Sequence, residues 1–181
     1  MDYYIDIKVL PDPEFDTTTL MNVLYSKLHR VLAATSEERV GASFPNFKKA
    51  PGDLLRLHAE QSVLQQLMDN NWLKGLSDYT HVTEIKIVPE QTQHIMVRRI
   101  QSKMTAARLR RAVKRGSISV QEANTLLDQR TLLKKPFFQL QSSSTGHRFP
   151  LFIEQGELKA KAIKGTFNSY GLSDKATVPW F

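Results

Sequence analysis

The first ninety residues alternate between two hydrophobic periods, and prolines mark where one gives way to the next. Tyr3–Leu10 is rich in β-formers, and Pro11 and Pro13 end it. Asp16 then stands as a helix cap before Leu20, Val23, Leu24, Lys27, Leu28, Val31 and Leu32, which recur at helical spacing. Val40–Phe44 is a short apolar segment stopped by Pro45, and Leu54–Ala59 alternates as a strand does. Ser62 is placed to cap a second helix carrying Val63, Leu64, Leu67 and Met68. Tyr79–Val88 alternates again until Pro89.

The resulting order, βαββαβ, is the ferredoxin-like pattern. Many functions use it, so it decides little about activity. The second half is less regular. Thr92–Gln101 reads as a strand. Thr105 is placed to cap a helix over Ala106–Arg115, with Gly116 at its C-terminal end. Ser119 and Glu122 have capping-box spacing for a helix over Val120–Leu127, with Ile118 positioned to staple against Ala123. After Pro136, the segments Phe137–Gln141, Phe149–Glu154 and Leu158–Phe167 read as strands, with a turn at Gln155-Gly156. The expected fold class is α+β, a ferredoxin-like domain over residues 1–90 followed by a C-terminal α+β domain over 91–181 that contains an arginine-rich helix.

Charge divides at the same place. Residues 1–90 hold 9 Lys/Arg and 13 Asp/Glu, a balance of −4, whereas residues 91–181 hold 16 and 5, a balance of +11. An acidic half joined to a strongly basic half is the footprint of a polyanion ligand. The chain has no cysteine, which excludes disulfides, thiolate metal sites and cysteine nucleophiles and fits a reducing cytoplasm. No apolar run is long enough to span a membrane, and the N-terminus lacks the pattern of a secretory signal.

The strongest local signal is Arg108-Leu-Arg-Arg-Ala-Val-Lys-Arg115. On a helix, Arg108, Arg110, Arg111, Lys114 and Arg115 occupy one arc of roughly 160°, with Ala106, Leu109 and Val113 opposite. Like charges at such spacing repel, and a polyanion compensates them. Arginine also grips phosphate or guanine through two parallel hydrogen bonds. RNA and DNA both remain open at this point, as does a merely solvated basic face. His29 falls at the rim of the first helix's apolar stripe, near Tyr25. A rim histidine is commonly a plain surface residue, yet imidazole is also the side chain suited to take a proton near neutral pH. In RNA cleavage without metal that proton comes from a ribose 2′-OH, which attacks the adjacent phosphate. The stretch Ser142-Ser-Ser-Thr-Gly146 offers hydroxyls and amides for a ribose or phosphate, and reads equally well as a turn. His58, His81, His94 and His147 form no metal-ligand spacing with nearby carboxylates, and there is no nucleotide-binding glycine loop.

Along the chain stand Met1-Asp-x-Tyr4, Pro11-Asp-Pro-Glu-Phe15, Lys27-Leu-His29, Gly41-x-Ser-Phe-Pro45, Arg108-Leu-Arg-Arg111, Ser144-Thr-Gly146, Tyr170-Gly-Leu-Ser173 and Val178-Pro-Trp-Phe181. In this order and spacing they resemble, nearly end to end, the CRISPR repeat-processing endoribonuclease of subtype I-F systems. The resemblance implies an arginine-rich helix docked in the major groove of the repeat hairpin. It implies a metal-independent cut of pre-crRNA at the 3′ base of the stem, leaving a 2′,3′-cyclic phosphate and a 5′-hydroxyl. It further implies that the enzyme stays on the mature crRNA with the other subunits of the surveillance complex, and that no small-molecule cofactor or membrane is involved. By position, His29 matches the catalytic histidine, Ser142 the serine that holds the attacking ribose, and Tyr170 the tyrosine near the histidine. Ser144 and Thr145 match neighbouring hydroxyls at the scissile site, and Phe149 an aromatic that stacks at the base of the stem. Arg99 and Gln101 match a pair reading bases low in the stem, as arginine pairs with guanine and glutamine with adenine. Arg108, Arg111, Lys114 and Arg115 match the groove helix, with lysine at 114 where the resemblance leads one to expect arginine. The alternative expectation is a non-catalytic subunit that only binds the crRNA hairpin.

Overall fold

The computed structural model describes residues 1–101, 106–128, 135–142 and 145–181. Strand β1 (Tyr3–Val9) alternates as expected: Ile5, Ile7 and Val9 are buried, while Lys8 is exposed. Helix α1 (Thr17–Thr35) starts at Asp16, whose carboxylate accepts the Thr19 amide at 2.9 Å and the Thr19 hydroxyl at 2.7 Å. It buries Leu20, Met21, Leu24, Tyr25, Leu28, Val31 and Leu32. Strands β2 (Gly41–Ser43) and β3 (Leu54–Ala59) follow, then helix α2 (Gln61–Asp69), β4 (Thr80–Val82) and β5 (Lys86–Ile87). The sheet order is β2-β3-β1-β4, with β5 also pairing to β1, and every pairing is antiparallel.

Three expectations for this half change. Helix α2 starts at Gln61, with Glu60 as its extended N-cap residue and no side-chain cap bond, so Ser62 lies inside the first turn. The segment 79–88 is two short strands rather than one. Thr83 breaks it: its amide donates to the Asp6 carbonyl and its hydroxyl accepts the Asp6 amide. Val23, counted into the helical stripe, is 39% exposed.

The second half contributes β6 (Gln93–Ile95), β7 (Val97–Ile100), α3 (Ala106–Lys114), α4 (Val120–Asp128), β8 (Phe137–Gln141), β9 (Arg148–Gln155) and β10 (Val178–Trp180). Strands β7, β9 and β8 form one antiparallel sheet and β10 pairs with β6. Residues 158–167 are not a strand: apart from a bridge between Lys159 and His94, they run as irregular backbone held by scattered bonds such as Phe167 N–H to the Glu38 carbonyl. Nor is Gln155-Gly156 a hairpin turn, because the Gly156 amide donates to the Met96 carbonyl and the chain continues. The capping box is present, with Glu122 Oε2 accepting the Ser119 amide at 2.7 Å and Ser119 Oγ accepting the Glu122 amide at 3.1 Å. Thr105 lies outside the described residues.

One apolar core crosses residue 90. Tyr25 of α1 is fully buried, stacked on Phe138 of β8 with ring centres 4.1 Å apart, and packed edge-on to Phe44. The opposite face of the first sheet is polar. There Arg56 pairs with both carboxylate oxygens of Asp6 at 2.7 and 2.9 Å, lies over the rings of Tyr4 and Phe181, and donates to the main-chain oxygen of Phe181. Among the described residues no helix is long and apolar enough to cross a membrane.

Candidate functional site

His29 follows the fully buried Leu28 on α1 and is itself half-buried. Its Nδ1 lies 3.0 Å from the main-chain carbonyl of Ser169. A carbonyl only accepts, so Nδ1 carries a proton, and the tautomer of the neutral ring that fits this contact leaves the lone pair on Nε2. The ring stacks on Tyr170 at 3.9 Å and 8°. Both partners sit on one tight turn. Asn168 Oδ1 accepts the amides of Tyr170 and Leu172, and Gly171 takes φ +70°, a conformation glycine adopts without strain. The Gly171 carbonyl accepts the Ala42 amide at 2.8 Å, fastening the turn to β2, and Tyr25 Oη donates to the Tyr170 carbonyl at 2.8 Å. Burial raises the phenols of Tyr170 and, more strongly, Tyr25 above their ordinary range, with Arg99 opposing in each case. Tyr170 is therefore a neutral stacking surface near pH 7 rather than a base.

His29, Tyr170, Ser142 and Phe149 line one cleft of about 800 Å³ between α1 and the β8–β9 sheet. Ser142 opens the loop joining those strands. Its carbonyl accepts the Gly146 amide at 2.8 Å, its amide donates to the His147 carbonyl at 2.9 Å, and its Oγ accepts the Thr145 amide at 3.3 Å. Thr145 is exposed; Ser144 lies outside the described residues. The guanidinium of Arg99 stands 5.9 Å from the Phe149 ring and 5.7 Å from that of Tyr170, at the edge of the cleft. Gln101, with its amide oxygen turned to Arg99, accepts from Nε at 3.2 Å and from an Nη at 3.1 Å. The two side chains are thus joined by hydrogen bonds. Among the described residues no three His, Asp or Glu side chains gather as metal ligands.

Helix α3 places Leu109 inside, 6% exposed, and Arg108, Arg110, Arg111, Lys114 and Arg115 outside. Ser117 N–H to the Ala112 carbonyl and Gly116 N–H to the Val113 carbonyl, with Gly116 at φ +71°, end it in a Schellman motif. The helix packs against α4. Its cations do not line the cleft, so the site has two parts: a small polar cleft and a separate basic face.

Of the site residues read from sequence, His29, Ser142, Phe149 and Tyr170 line the cleft, Arg99 and Gln101 stand beside it, the five cations lie on α3, and Thr145 is exposed on the loop after Ser142. What sequence reasoning missed is the clamp: the Ser169 carbonyl and the Asn168–Gly171 turn behind it. The motif Tyr170-Gly-Leu-Ser173 entered only through the family resemblance, and any residue supplies a carbonyl, so nothing in the sequence singles out Ser169.

The model of the family described as CRISPR-associated protein (Cas_Csy4) matches residues 4–181. A protein of Escherichia coli called CRISPR-associated endonuclease Cas6/Csy4 is 45% identical over 186 residues, covering all of both chains. One of Pseudomonas aeruginosa with the same description is 41% identical over 187 residues, again covering all of both. A solved structure titled "Structure A of CRISPR endoribonuclease Cse3 bound to 19 nt RNA" covers 94% of this chain and 89% of its own, at 11% identity and a TM-score of 0.35, a likeness too loose to bear on the fold.

Proposed function

We propose, from the premise that this chain belongs to the Cas_Csy4 family and is a CRISPR-associated endonuclease, that it binds the CRISPR repeat hairpin and cuts pre-crRNA at the 3′ base of the stem without a metal. His29 is the base. Its Nδ1–H is held by the Ser169 carbonyl, so Nε2 takes the proton of the ribose 2′-OH at the cut. The oxygen attacks the adjacent phosphate, the bond to the 5′ oxygen of the next nucleotide breaks, that oxygen takes up a proton from water, and the products are a 2′,3′-cyclic phosphate and a 5′-hydroxyl. Ser142 holds the attacking ribose, Thr145 and Ser144 serve the scissile phosphate, and Phe149 caps the last base pair. Arg99 and Gln101 read bases low in the stem. The cations Arg108, Arg110, Arg111, Lys114 and Arg115 grip the groove and its phosphates.

In this reading residues 1–90 are a ferredoxin-like domain carrying the base, which the strand order β2-β3-β1-β4 supports, and residues 91–181 are the hairpin-binding domain. The enzyme works in the cytoplasm and remains on its product beside the other subunits of the subtype I-F surveillance complex. The observation that carries the reading is the oriented imidazole in a cleft shared with Ser142. Incubation with labelled repeat RNA in chelator tests it. A single cut with a cyclic phosphate end is expected, abolished by 2′-deoxy substitution at the nucleotide before the cut. Binding without a cut would leave a hairpin-binding subunit. A cut restored only by a divalent ion, or undiminished on the deoxy substrate, would overturn the mechanism.

A further inference from the structure

We infer that Tyr25 is a positioning residue for the reaction: its hydroxyl, acting through the Tyr170 carbonyl, fixes the turn that orients His29. The inference rests on the endoribonuclease reading above, in which His29 is the base. Tyr25 and His29 stand one helical turn apart on α1, so their side chains leave the same face of the helix. Both reach the same turn. Tyr25 Oη donates to the Tyr170 carbonyl at 2.8 Å, and His29 Nδ1 to the Ser169 carbonyl at 3.0 Å. Helix and turn are therefore fastened through two consecutive carbonyls. The residue flanked by those carbonyls is Tyr170, whose ring is the surface on which the imidazole stacks.

The surroundings of Tyr25 separate the role of its oxygen from that of its ring. The ring is fully buried, stacked on Phe138 and edge-on to Phe44, a setting that a phenylalanine fills equally well. A hydroxyl buried there costs free energy unless it is bonded, and its bond goes to the catalytic turn. The same packing makes the donor rigid. Phe138 holds the ring from β8 and α1 holds its backbone, so the oxygen has one place to stand. Burial also keeps the phenol protonated well above its ordinary range, so the donor persists wherever an imidazole serves as a base. The turn needs such an anchor because Gly171, which follows the held carbonyl, tolerates many backbone conformations. Without the Tyr25 hydroxyl the Tyr170 carbonyl loses its tie to α1, and the Ser169 carbonyl beside it loses its fixed direction. The imidazole then shares its proton between both nitrogens. A ring protonated on Nε2 has no lone pair there to accept the 2′-OH proton.

The test is Tyr25→Phe in the full-length protein, which keeps the ring and removes the oxygen alone. Single-turnover cleavage of the repeat hairpin at saturating enzyme is expected to slow by about tenfold, the scale of one buried hydrogen bond. Hairpin affinity should stay at the parental value, which also shows that the variant is folded. In the RNA-free variant the nitrogen NMR signals of His29 should move towards the tautomer protonated on Nε2. Leu67→Ala is the control for general destabilisation: it empties a buried position on α2. It should lower the urea midpoint and leave both the cleavage rate at saturating enzyme and the His29 signals as they are. An unchanged rate in folded Tyr25→Phe, a slowed rate with unmoved His29 signals, or equal slowing in Leu67→Ala would each overturn the positioning role. Tyr25 would then be core packing, while cleavage by the unsubstituted enzyme stands. If the unsubstituted protein does not cut the hairpin, the endoribonuclease reading falls, and the His29 signals alone decide whether Tyr25 sets the imidazole.

Discussion

A histidine oriented by a main-chain carbonyl is held by a group that no side-chain substitution at Ser169 removes. The way to disturb it is to move the turn. A Cβ at Gly171 would stand 2.9 Å from Ala42 Cβ and 3.1 Å from the Ala42 nitrogen, at a φ of +70° that side chains disfavour. Gly171→Ala is expected to push the turn off β2, shift the Ser169 carbonyl and lower single-turnover cleavage by about 10²-fold, the scale of an ångström's misplacement. Hairpin affinity should hardly change. His29→Ala should lose roughly 10²–10⁴-fold with the same affinity. A folded Gly171→Ala enzyme cutting at the parental rate would remove the turn from the positioning of His29. The imidazole itself was legible in the sequence because its chemistry is in its side chain. Its partner was not, because a carbonyl belongs to every residue and only the fold selects one 140 positions away.

Among elements, the termini of α1, α3 and α4 were readable at Asp16, Gly116 and the Ser119–Glu122 pair because capping is local chemistry. The segment 158–167 was misread because its fate is set by distant partners. Thr177 accepts the Ile163 amide on its hydroxyl and returns its own amide to the Ile163 carbonyl, so the chain is pinned point by point rather than along a ladder. The outward cations of α3 were legible from spacing alone, and their role can be separated from chemistry. Replacing Arg108, Arg111 and Arg115 with alanine keeps Leu109 and Val113 and improves helix propensity. Affinity for the hairpin should fall strongly at moderate salt, and the slope of log K should flatten by roughly 0.7–0.9 per lost phosphate contact. Cleavage should recover at enzyme concentrations far above the weakened Kd. Unchanged affinity and slope in the folded triple variant would make α3 a solvated face.

At the scale of the whole molecule, the family resemblance was carried by motifs spread from Met1 to Phe181, and the matching family covers residues 4–181. The division at residue 90 was drawn where both charge and regularity change, and Tyr25 and Phe138 stack across it. Charge reports on the ligand-facing surface, whereas the core follows apolar shape. A second buried group bears on global stability. His58 is fully enclosed with Nε2 2.9 Å from Ser43 Oγ, and burial, aided by Arg56, pushes its imidazole down to about 3. The unfolded chain takes up that proton near 6.5 and the folded one refuses it. Stability is therefore complete above about pH 6.5 and falls as pH drops towards 3, by up to about 1.4 kcal/mol per unit. Urea midpoints between pH 7 and 5 should show this slope, and His58→Gln should flatten it. Asp16, Glu37, Glu122 and Glu154, held low by their hydrogen bonds, lose their contributions only nearer pH 4. An unaltered slope in His58→Gln would exclude this residue as the source.

The clamp on His29 also has a meaning in time. A ribosome makes the imidazole early and its anchoring carbonyl 140 residues later, which at 5–20 residues per second is roughly 7–28 s. Throughout that interval the growing polypeptide holds a histidine with no fixed tautomer and no ring to lean on. In the proposed mechanism the base is therefore set only after the Asn168–Gly171 turn has been made.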